Sequence, residues 1–158
     1  MTGTTGPAAT GTVVATRAHA PRAGEGAGVS VVIPFKTDDG PREALFQWVV
    51  SWWQAALPAA ELIIEHSLDE PFFLAAARNR GPGRATGDVI VIADADMVCE
   101  RTALLVGIAT VRQHGGWALP YDVLELLDAA TTAAVIAQPA DPATLLPPHV
   151  VTERNVTS

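Results

Sequence analysis

Hydrophobic positions change their spacing several times along this chain, and each change predicts an element. Val29 to Ile33 is apolar except for Ser30 and gives way to Pro34-Phe35-Lys36 and a polar turn ending at Gly40, which predicts a buried strand leading into a loop. Leu45, Trp48, Val49, Trp52, Trp53 and Ala56 then recur at threes and fours. That spacing predicts a helix opened by Pro41, where a missing N–H costs nothing, and stopped before Pro58. Glu61 to Glu65 is a second short strand, and Pro71 to Arg80 a helix with Phe72, Phe73, Ala76 and Ala77 inward and Gly81-Pro82 ending it. Val89 to Ala93, after Gly87, is a third strand. Glu100 to Gln113 carries Leu104, Leu105, Ile108 and Val111 on one side of a helix that His114-Gly115-Gly116 terminates. Trp117 to Pro120 then predicts a short strand, and Asp122 to Gln138 a last helix with Asp122 as its N-cap. Strands alternating with helices predict an α/β fold, a mostly parallel sheet flanked by helices. Residues 1–28, rich in Thr, Gly, Ala and Pro, lack periodicity and are expected to form a disordered tail, leaving 29–158 as one domain.

Composition narrows the function. A chain of 158 residues that is 49% hydrophobic supports one core. A net charge of −7 without any basic cluster argues against nucleic-acid binding. No stretch approaches the ~20 apolar residues of a membrane span, and no export signal opens the sequence, so a cytoplasmic protein is expected. The lone Cys99 excludes an internal disulfide and fits a reducing compartment. Three tryptophans within six residues suggest either a stacking platform or core packing. Their helical spacing favours the core.

The chemistry gathers at Asp88-Val-Ile-Val-Ile-Ala-Asp-Ala-Asp-Met97, where an apolar strand delivers Asp94 and Asp96 together at its carboxyl end. Ligand sites of open α/β sheets lie there, and two carboxylates suit a hard divalent cation shared with substrate phosphates. The competing reading is that both aspartates cap the next helix or solvate a turn. An acidic chain that binds a phosphate ligand needs local positive charge, which a metal can supply. Arg78, Arg80 and Arg84 lie nearby, with Arg84 the foremost candidate for phosphate contact. Asn79 either positions the helix end or meets ligand. His66 has no metal-ligand spacing and reads as an incidental loop histidine, while Asp88, at the opposite end of its strand, reads as structural.

Together these residues resemble the inverting GT-A fold glycosyltransferases of the family-2 kind, which carry an Asp-x-Asp motif. The likeness rests on Ala77-Arg78-Asn79-Arg80-Gly81, Ala85-Thr86-Gly87-Asp88 and Ala93-Asp94-Ala95-Asp96 in that order, supported by Val-Val-Ile-Pro at 31–34 and Glu-Leu-Ile-Ile-Glu at 61–65. It implies a Rossmann-like nucleotide-sugar-binding domain. Pro34, Phe35 and Lys36 would meet the nucleoside, largely through backbone, and Glu65 or Asp69 would hold the base. Asp94 and Asp96 would share Mn2+ or Mg2+ with the diphosphate, Asp96 as the metal ligand and Asp94 in a shared role. A UDP-sugar donor is the family-level expectation; the acceptor is unknown. The family takes its catalytic base from a later segment, so the resemblance, strongest over 29–120, implies a domain incomplete at its C-terminal end, with a completing partner chain as one consequence. Asp122, Glu125 and Asp128 are a substitute base in principle, but their spacing fits a solvated helix face better.

Overall fold

The computed structural model describes residues 24–66, 73–143 and 152–155. Strand β1 (Val29–Phe35) is followed by helix α1 (Pro41–Ala56), strand β2 (Glu61–His66), helix α2 (Leu74–Arg80), a 3-10 turn (Gly81–Arg84) and strand β3 (Val89–Ile92). Helix α3 (Arg101–His114), strand β4 (Val123–Leu126), helix α4 (Ala129–Ile136) and strand β5 (Thr152–Asn155) complete the described chain. Strands β2, β1 and β3 form one parallel sheet in that spatial order, and β4 pairs antiparallel with β5. The fold is therefore α/β, with a small parallel sheet between helices.

The register divides the sheet into two faces. Val29, Val31, Ile33 and Phe35 of β1 share one face with Val89 of β3 and pack on Phe46, Val49, Trp52, Trp53 and Ala56 of α1 and Leu104 and Ile108 of α3. Burying each of these large side chains contributes roughly 1.5–3 kcal/mol, which makes this face the main source of stability. Ser30, Val32 and Pro34 occupy the other face with Glu61, Ile63 and Glu65 of β2, and α2 with the 3-10 turn lies over them. Helix α1 thus leads from β1 to β2 on one face, and α2 leads back past β1 to β3 on the other, as crossovers of one hand require. The second face is only half covered. Ile90 and Ile92 remain exposed on β3, whose outer edge has no partner strand among the described residues.

Several expectations need correction. The predicted helix over 122–138 is instead β4 followed by α4, because Asp128, not Asp122, caps it: the Asp128 carboxylate accepts from the Thr131 backbone N–H at 2.7 Å. Val123 to Leu126 pair with β5 some thirty residues on, a partner that local periodicity cannot reveal. Asp122, Glu125 and Asp128 therefore do not share a helix face. Trp117 to Pro120 form no strand, and Trp117 is 80% exposed. Of the tail expected to be disordered, residues 1–23 lie outside the described residues, while 24–28 form a turn joined to the body. There the Glu25 carboxylate pairs with buried Arg101 and the Glu25 carbonyl accepts from Ala59 N–H at 2.9 Å.

Candidate functional site

The chain leaves β1 toward β2 on one side and places β3 on the other, so the carboxyl ends of β1 and β3 flank the point where strand order reverses. Open α/β sheets usually hold their ligand at such a point, in a crevice between connections that lead away from one another. Two loops border it: Lys36 to Gly40 after β1, and Ala93 to Glu100 after β3.

The second loop begins as a turn. Ala93 N–H donates to the Val32 carbonyl as the last tie to β1, and Met97 N–H donates to the Asp94 carbonyl at 3.2 Å. Ala93 and Ala95 are buried in the core, while Asp94 is half-buried and Asp96 exposed. The inward-outward alternation of the strand therefore carries past its end and turns both carboxylates away from the core. Arg78, in the last turn of α2, forms an ion pair with Asp94 through its Nη2. The Arg78 Nε is buried and has no hydrogen-bond partner. Among the described residues, no three side chains of His, Cys, Asp and Glu gather closely enough to hold a metal ion unaided.

The remaining predicted residues fall on both faces of the sheet. Pro34 and Glu65 are register partners on the α2 side. Glu65 is only 5% exposed; its Oε1 accepts from Arg80 Nε at 3.0 Å and its Oε2 from Arg84 Nη1 at 2.9 Å. Glu65 and Arg84, predicted to contact base and phosphate separately, thus contact each other. Phe35 lies on the opposite face, buried and stacked on Phe46 with ring centroids 3.7 Å apart, so its ring is held in the core. Lys36 is half-buried at the strand end, and Asn79 is exposed on α2. Asp69 lies outside the described residues. His66, exposed at the end of β2, meets the Phe35 ring edge-on and lines a shallow cleft of about 550 Å3 with Thr37, Asp39, Gly40 and Glu43.

Arg80, with Arg84 beside it, holds the Glu65 carboxyl below its ordinary value of 4.5, against the opposing effect of burial. A depressed folded-state value means that this contribution to stability is present above 4.5 and is lost as pH falls through the lower folded value. Replacing both arginines by alanine should destabilise the protein at pH 7, because the buried carboxylate loses its partners, and the gap from wild type should narrow as acid protonates Glu65. Urea unfolding at pH 7 and at pH 4 measures both. A gap that is constant between these pH values would contradict the pairing.

Asp88, read from the sequence as structural, has Arg112 as its side-chain partner. It lies at the opposite end of β3 from the crevice and pairs with Arg112 of α3, Nη2 to Oδ1 at 2.9 Å; that guanidinium holds its carboxyl below the usual range. Burial pushes the Cys99 thiol up to about 12, which favours the protonated form near neutrality. Beyond the Glu65 pairing, the sequence also missed the pairing of Arg78 with Asp94, and Arg101, buried and donating from Nε to the Ala56 carbonyl at 3.2 Å. The first had no local signal, since Arg78 and Asp94 lie sixteen residues apart in the chain. The second had none.

A second concavity, about 430 Å3, runs along the outer edge of β3. Ile90, Ile92, Leu104, Ile108, Trp117 and Leu119 line it, with Arg78 and Asp94. No helix among the described residues is long and apolar enough to cross a membrane.

Comparison with protein-family profiles, curated proteins and solved structures returns no match. The functional reading therefore stands on the motif and on the geometry.

Proposed function

We propose that this chain binds a nucleoside-diphosphate sugar in the crevice between the ends of β1 and β3, and serves transfer of the sugar to an acceptor hydroxyl. The observation that carries the reading is the position of Asp94 and Asp96. Both turn outward at the carboxyl end of β3, beside the end of β1 and at the reversal of strand order. The donor set suits a shared cation: two carboxylate oxygens are too few for an all-protein cage, but Mg2+ characteristically completes its shell with phosphate oxygens and water.

In such a transfer the acceptor oxygen attacks the anomeric carbon, the bond to the diphosphate breaks, and the electron pair leaves with the diphosphate. When bound, Mn2+ or Mg2+ neutralises the charge that develops on this leaving group. The acceptor proton passes to a general base that no described residue is assigned to be. Asp94 and Asp96 orient the diphosphate, and the backbone of Pro34 to Lys36 borders the nucleoside.

One observation favours a second reading, a non-catalytic nucleotide-diphosphate-binding module or degenerate fragment that needs a partner chain. The apolar groove beside β3 leaves Ile90, Ile92 and Trp117 exposed next to a strand edge that has no partner strand among the described residues, a surface that a partner would cover. Incubation with UDP-sugars and a panel of sugar acceptors separates the readings, since a transferase releases UDP and a binding module does not.

The Asp96→Ala variant tests the site itself. Wild type should bind nucleotide more tightly with Mn2+ than with chelator, and the variant should lose on the order of 100-fold of the metal-dependent affinity, since an exposed carboxylate has little structural work to do. Unchanged, still metal-dependent binding by Asp96→Ala would sink the assignment.

A further inference from the structure

We infer that Arg78 is a charge gate on Asp94: it occupies this carboxylate in the free protein and yields it only to a cation that arrives together with the diphosphate. The inference rests on the nucleotide-diphosphate reading above and adds an order of events to it.

Asp94 is not a freely available metal ligand, because its Oδ1 accepts from Arg78 Nη2 and the guanidinium charge stands beside the carboxylate that a cation would need. A cation that binds alone must displace a fixed positive charge or rely on exposed Asp96 and water, and either alternative is weak. A diphosphate changes both sides of this balance. Its oxygens complete the coordination shell of the cation, and they offer the guanidinium a new acceptor. Arg78 is built for such an exchange. Guanidinium has five N–H donors in a planar fork, and here Nε is buried without a partner while the side chain as a whole remains 40% exposed. Asp94 is similarly accessible, at 42%, so the pair can separate without unpacking the core. Cation and diphosphate should therefore bind with positive coupling, each raising the affinity of the other by the same factor.

The test is Mn2+ alone, titrated into the full chain and followed by loss of the free-ion paramagnetic resonance signal. Arg78→Gln should bind Mn2+ more tightly than wild type by up to about fivefold, the factor expected for release of a half-exposed ion pair. Arg78→Lys, which keeps the charge, should stay near wild type, and Arg78→Gln combined with Asp94→Asn should return to the weak value. In the wild-type background, Asp94→Asn should leave binding of Mn2+ alone unchanged, whereas Asp96→Asn should remove it; this pair keeps the test valid if Arg78→Gln does not fold. Equal Mn2+ affinity in wild type and folded Arg78→Gln, or loss of Mn2+ binding in Asp94→Asn, would overturn the gate. Titration of wild type with UDP and Mn2+ together is read separately: failure there defeats the nucleotide reading, while the comparison with Mn2+ alone judges Arg78.

Discussion

Replacing Trp52 with alanine lowers the free energy of unfolding by about 3–5 kcal/mol, the range for truncating a fully buried aromatic side chain. Trp52 is 3% exposed on the buried face of α1 and meets Trp53 edge-to-face, with centroids 5.1 Å apart and planes at 83°. Because a domain of ordinary stability holds only about 5–15 kcal/mol, the variant should sit near its unfolding threshold. Trp53→Phe should cost much less. The Trp53 Nε1 is buried without a hydrogen-bond partner, so its removal relieves a desolvated donor while most of the ring stays packed. Urea unfolding followed by circular dichroism measures both. A Trp52→Ala loss below about 1 kcal/mol would mean that this face is not the core, and would revive a stacking role for the tryptophans.

Gly81→Ala should cost about 2–3 kcal/mol, for the opposite reason. A Cβ at this position would lie 2.1 Å from Val32 Cγ1 and 3.3 Å from both Cβ and Cγ2 of the same side chain. Val32 is fully buried and β-branched, so it has no free rotamer into which to retreat. The missing side chain lets the 3-10 turn lie directly on β1. This close approach helps bring Arg80 and Arg84 onto Glu65 and sets the end of α2 where Arg78 reaches Asp94. Gly81→Ala combined with Val32→Ala should recover part of the loss, because the second truncation makes room for the first. Strict additivity of the two costs would show that the clash is not the cause.

The parts legible in the sequence were those whose cause is local. Leu45 to Ala56 carry a helical stripe that α1 reproduces from Pro41 to Ala56, and the β-branched runs at Val29 and Val89 became β1 and β3. The parts that misled depend on distant partners. Val123 to Leu126 carry no signal that separates them from a helix until β5 lies beside them, and Trp117 to Leu119 look like a strand but have no ladder to join. The site divides in the same way. Outward-turned aspartates follow from a strand ending in Ala-Asp-Ala-Asp, with Ala93 and Ala95 alternating with them and buried. That Glu65 is neutralised by Arg80 and Arg84, and Asp94 by Arg78, depends on how α2 crosses the sheet. Residue types suggested charges near a phosphate; the packing shows these charges first answering one another.

Titration calorimetry with UDP and with GDP, each in Mn2+ and then in chelator, tests the central claim most directly. Metal-dependent binding of one nucleotide, abolished by chelator, is the predicted result. Absence of binding under all four conditions, by a chain shown by circular dichroism to be folded, would contradict a nucleotide-diphosphate site between β1 and β3.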